Sequence, residues 1–70
     1  MMEYAELCAK RILELCQAHS MTLEALAEAS GVHLPTVKKI VSAKTRTPHI
    51  GTLRKFAQVF GMSLSEFMDF

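Results

Sequence analysis

The sequence predicts an all-α domain built from five helices. Apolar residues recur at helical spacing along most of the chain, no segment sustains the period of two that a half-buried strand requires, and the helical stretches are bounded by start and stop residues. The 70 residues, half of them hydrophobic and 21% charged, suit one small domain spanning 1–70.

Helix 1 is expected over about residues 3–18. Tyr4, Cys8, Ile12, Leu15 and Cys16 form a broad apolar stripe with Leu7 and Leu13 beside it, and no Gly or Pro interrupts the run. His19-Ser20 then breaks it. Thr22 is a good N-cap for helix 2, expected at about 23–30, with Met21 and Leu26 placed as a hydrophobic staple and Glu24 at the positive end of the dipole. Gly31 ends that helix, as a residue free to take positive φ. Pro35 is comfortable only in a first helical turn, so helix 3 must begin near Leu34 and run to about Ser42. Val37, Ile40 and Val41 make its buried stripe, and His33 is a poor cap for it. Residues 43–48 read as a polar loop. Ile50, Leu53, Phe56, Ala57 and Phe60 mark helix 4, about 50–60, closed by Gly61. Ser63 with Glu66 forms a capping box for helix 5, about 64–69, with Met62 and Phe67 as its staple.

Length and composition exclude several classes. A chain of this size buries only roughly 60% of its unfolded surface, so a deep catalytic cleft is not expected and the chain is read as a non-enzyme. Cys8 and Cys16 lie about 12 Å apart along one helix by its rise and cannot pair; they are read as small buried hydrophobes. Adding His19, His33 and His49 gives no zinc spacing. No nucleophile–base pair or glycine-rich phosphate loop appears, so no metal, cofactor or small-molecule ligand is expected. There is no run of about 18 apolar residues that would cross a membrane. The acidic start Met1-Met2-Glu3-Tyr4-Ala5-Glu6 lacks the basic region of a signal peptide. A cytoplasmic, reducing setting is the expectation.

The net charge of +1 conceals a strong segregation. Residues 1–30 carry Lys10 and Arg11 against Glu3, Glu6, Glu14, Glu24 and Glu28, a net −3. Residues 31–55 carry Lys38, Lys39, Lys44, Arg46, Arg54 and Lys55 with no acid, a net +6. Residues 56–70 carry Glu66 and Asp69, a net −2. Such a block is either a solvated face or the footprint of a polyanionic partner.

The link between helices 2 and 3, Gly31-Val32-His33, is short enough to force the two axes to cross steeply. Ala27 is small where the helices approach, Gly31 supplies the turn, and Val32, Val37 and Ile40 hold both helices to one core. This is the pattern of a helix-turn-helix, whose second helix enters the major groove of DNA. A helical hairpin that only fills a core is the alternative, and the Ala27–Gly31–Val37 spacing inside a basic block favours DNA.

Residues 12–68 resemble the lambda-repressor and Cro-like helix-turn-helix family, also called the XRE family. The resemblance rests on Leu26-Ala27-Glu28, Gly31-Val32, Thr36-Val37, Ile40, Lys44, Pro48 and the stretch from Thr52 to Phe67. It implies a five-helix lambda-repressor-like domain of bacterial or phage type that docks helix 3 into the major groove, usually as a dimer on a two-fold site. The family's base-reading positions fall on Leu34, Pro35, Lys38 and Lys39. Leu and Pro read no donor or acceptor but can pack on a thymine methyl, while either lysine can reach guanine acceptors. His33 stands where the family usually has Ser or Thr, and Leu23 where it commonly has Gln. Cys16 and Val41 stand where the family often buries an Arg–Glu pair, a joint apolar replacement that leaves no orphan charge.

The expected DNA-facing set is Thr22, His33, Leu34, Pro35, Thr36, Lys38, Lys39, Ser42, Lys44, Thr45 and Arg46. Phosphate contacts are expected mainly from Lys44, Thr45 and Arg46, with Thr22 and the start of helix 2 adding N–H groups. Arg54 and Lys55 are read as solvated. Phe67, Met68 and Phe70 crowd the C-terminus: some should complete the core, and the rest are expected to form a homodimer interface. The function expected is sequence-specific transcriptional regulation. The rival is a protein-interaction or antitoxin-like module on the same scaffold, suggested by Leu23, Leu34 and Pro35.

Overall fold

A computed structural model describes residues 2–70 and places five helices in chain order. They are α1 (Tyr4–Ala18), α2 (Leu23–Ser30), α3 (Leu34–Val41), α4 (Ile50–Val59) and α5 (Leu64–Phe67). No strand occurs among the described residues. Packing runs α1 on α3, α2 on both α3 and α4, and α4 on α5. The molecule measures 30 × 24 × 21 Å.

The helix starts follow from local chemistry. Thr22 is extended at the N-cap of α2, and its Oγ1 accepts the Ala25 N–H at 3.1 Å. Ser63 and Glu66 form the expected capping box: Ser63 Oγ accepts the Glu66 N–H at 3.1 Å, and Glu66 Oε1 accepts the Ser63 N–H at 2.9 Å. The Ser63 N–H donated to the carboxylate, with the Ser63 hydroxyl adding to it, holds the Glu66 carboxyl below its ordinary pKa. His33 offers α3 no side-chain cap, as expected, and Pro35 sits in its first turn.

The ends are trimmed relative to the sequence reading. α3 stops at Val41 with Ser42 as cap, α4 stops at Val59 with Phe60 as cap, and α1 begins at Tyr4 with Glu3 as cap. α5 stops at Phe67, not Asp69, with Met68 as its cap. Gly31 takes φ 73° and closes α2, its N–H donating to Ala27 O at 2.9 Å. Ser20 and Ala43 occupy the same left-handed region at φ 52° and 59°. After each, the next residue's N–H reaches back five positions, Met21 to Cys16 O and Lys44 to Lys39 O, which satisfies carbonyls that a helix end leaves open.

The core gathers the stripe residues of every helix. Cys8, Ile12, Leu26, Val37, Ile40, Leu53, Phe56 and Phe67 are fully buried or nearly so. Cys16 and Val41, the apolar replacements for an ion pair, both lie in or against this cluster. Burial pushes both thiols above their ordinary pKa, so they stay protonated as small hydrophobes.

Two contacts have no counterpart in the sequence reading. The Arg11 guanidinium on α1 donates to Phe67 O through Nε and to Glu66 O through Nη2, each at 3.0 Å, and so places a cation at the C-terminal end of α5. His49 caps α4 through Nδ1, which accepts the Gly51 N–H at 3.1 Å. A Cβ at position 51 would stand 3.1 Å from that nitrogen, so a larger residue there would push the folded-back imidazole outward by a few tenths of an ångström.

Candidate nucleic-acid interface

α3 is two-sided. Val37 and Ile40 are buried, and Leu34 and Val41 are half-buried against the core. Pro35, Thr36, Lys38, Lys39 and Ser42 are exposed. At about 100° per residue, Pro35, Lys39 and Ser42 fall within about 50° of the middle of the exposed face, with Thr36 and Lys38 toward its edges. The buried stripe therefore fixes which cation is central and which is peripheral.

The expected contact residues do not share one environment. Thr22, His33, Lys44 and Arg46 are exposed, and Thr45 is half-buried. Thr22 uses an oxygen lone pair for its cap and keeps its hydroxyl proton free to donate outward. Ser42 is different: its hydroxyl donates to Lys38 O at 2.8 Å and lies 3.2 Å from Lys39 O, so its proton is already committed within the helix. Leu34, placed among the base readers by resemblance, turns toward the core instead, because it stands on the same side of α3 as Val37 and Val41. Leu23 likewise packs against the core.

The start of α2 is the better of the two helix ends for an anion. Its Leu23 and Glu24 amides have no backbone partner beneath them, whereas Pro35 removes one amide from the first turn of α3 and the Thr36 and Val37 amides already bond His33 O at 2.9 and 3.1 Å. Beyond α3, the polar segment is anchored at Pro48, which is buried, while Lys44 and Arg46 on either side of Thr45 stay exposed.

The C-terminal residues divide. Phe67 is 0% exposed and belongs to the core, which removes it from any interface with a second copy. It is drawn inward because α5 packs on α4 and because Arg11 ties its carbonyl to α1. Met68 is half-buried against the core, and Phe70 is 45% exposed with its ring 6.4 Å from that of Tyr4.

Comparison with known proteins agrees with this geometry. The pattern of the Cro/C1-type HTH DNA-binding domain matches residues 11–70, the greater part of the chain and the whole of the α2–α3 unit. The chain belongs to the Cro/C1-type HTH DNA-binding family. This Cro/C1-type domain also superimposes on the crystal structure of the prophage Lp1 protein 11 with a TM-score of 0.88 at 27% identity, over 100% of this chain and 92% of that one. No curated protein matches it. Among the described residues no helix is long and apolar enough to cross a membrane, and no group of three or more His, Cys, Asp or Glu is placed to hold a metal ion.

Proposed function

We propose that this Cro/C1-type domain is a sequence-specific transcriptional regulator that lays α3 in the major groove of duplex DNA and acts as a homodimer on a two-fold site. The observation that carries the reading is the exposed face of α3, cationic at Lys38 and Lys39 and continued by Lys44 and Arg46 in the loop, within a stretch of 25 residues that contains no acid. Lys39 serves base recognition from the middle of that face. Lys38, Lys44 and Arg46 meet phosphate, with the Thr22 hydroxyl and the free amides of α2 adding neutral donors.

Leu23 and Leu34 are half-buried against the core, so packing accounts for an apolar residue at each, while Pro35, the third residue behind the rival reading, stays exposed on α3. The homodimer is assigned to Phe70 and Met68, with Tyr4 beside Phe70 as part of the same apolar surface.

The test is an anisotropy titration on random duplex at two salt concentrations, followed by selection of preferred sites. Salt-dependent binding and a selected palindrome with half-sites one helical turn apart are expected. Binding that is absent or indifferent to salt overturns the proposal in favour of a protein-interaction module.

A further inference from the structure

The exposed face of α3 carries a narrow set of functional groups. The helix has no Asn, Gln, Asp or Glu, so it lacks the side chains that pair with adenine in bidentate fashion or accept from cytosine. The Ser42 proton is held by Lys38 O and Lys39 O. What remains toward a groove is the Pro35 ring, the Lys39 ammonium one turn further on and, toward the edges of the face, the methyl and hydroxyl of Thr36 and the Lys38 ammonium. In the major groove thymine is distinguished by its 5-methyl group, and guanine by two acceptors on one edge.

Resting on the reading above, we infer that α3 selects its half-site by the 5-methyl group of a thymine packed on Pro35, together with a guanine that accepts from Lys39. Pro35 and Lys39 are about 6 Å apart along the helix axis, which corresponds to roughly two base steps of 3.4 Å. The thymine and the guanine therefore lie within about two base pairs of each other. Pro35 suits the methyl for a physical reason. Its ring is exposed at the first turn, has no N–H to desolvate, and is rigid, so little freedom is lost when it is covered.

The experiment uses the whole chain and a site selected from a random duplex pool. Each thymine is replaced in turn by uracil, which keeps every hydrogen-bonding group and removes only the methyl, and each guanine by 7-deazaguanine, which removes one acceptor. Uracil at one position per half-site is expected to weaken binding about fourfold, the value of one buried methyl-sized group. That sensitivity is expected to vanish in Pro35→Ala. A 7-deazaguanine within two base pairs is expected to weaken binding at least about fivefold, and Lys39→Ala is expected to erase the difference. If uracil is harmless at every position of a site the protein demonstrably prefers, the methyl inference is overturned while the regulator reading stands. Failure to bind any duplex overturns the regulator reading itself.

Discussion

Replacing Lys44 by Ala tests the interface at a residue placed by the loop and not by the helix. In the native protein Lys38, Lys39, Lys44 and Arg46 are exposed together, giving four cations per protomer. Each cation brought into the field of the duplex steepens the log–log dependence of affinity on salt by roughly 0.9, so the expected slope is about −3.6 per protomer, rising toward −5.4 if Arg54 and Lys55 also engage. Between 50 and 200 mM salt the smaller slope lowers affinity about 150-fold. Lys44→Ala is expected to flatten the slope to about −2.7, leaving a loss of about 40-fold over the same range, and to weaken cognate and random duplexes alike. Lys39→Ala is expected to behave differently, costing about 1–3 kcal/mol on the preferred site and relaxing choice at one base pair. Anisotropy titrations at five or six salt concentrations on both duplexes separate the two patterns. An unchanged slope in Lys44→Ala refutes its placement at phosphate. Equal losses on both duplexes in Lys39→Ala refute base reading from the middle of α3.

Three further outcomes follow from the packing. Arg11→Gln is expected to lower stability by about 1–2 kcal/mol, since two charge-assisted bonds to α5 carbonyls are lost from a half-exposed site; in a domain of this size that is a fall in Tm of roughly 4–16 °C, read by calorimetry or circular dichroism. Ser20→Gly is expected to stabilise by about 0.5–1 kcal/mol, because relief of the positive-φ cost at φ 52° outweighs the added freedom of the unfolded chain; a lower urea midpoint would contradict it. Burial raises the pKa of Cys8 and Cys16, so their contribution to stability is intact below the ordinary thiol value of about 8.5 and declines as pH rises above it, where the unfolded chain loses protons first. The urea midpoint should fall above about pH 8.5, less so in Cys8→Ala, and at neutral pH a thiol reagent should react with both cysteines only as fast as the chain opens.

Much of the architecture is legible in the sequence because its determinants act over three to five residues. Thr22 finds the Ala25 amide, Ser63 and Glu66 find each other, Gly31 turns the chain, and Pro35 can stand only in a first turn. These are interactions within one helical turn, and a single sequence states them. The outward placement of Pro35, Lys39 and Ser42 is legible in the same way, since Val37 and Ile40 fix the inner side; Leu34, expected to face DNA, is the exception. His49 escaped notice although its bond to Gly51 is equally local, because imidazole is an uncommon cap and the sign of it is the missing Cβ two residues on.

The sequence alone therefore determined the helices, their punctuation, the charge segregation and the outward row of Pro35 and Lys39. Tertiary structure decided matters in which one of several similar residues had to be chosen. Phe67 goes inside while Phe70 stays 45% exposed beside Tyr4, Leu34 turns from the groove to the core, and Arg11 reaches across 55 and 56 positions to the end of α5. Apolar residues three positions apart, such as Phe67 and Phe70, have equal claims to burial in a pattern. Their competition is settled by which of them faces a neighbouring helix once all five are packed, because the burial of apolar area depends on the partner surface and not on the residue alone.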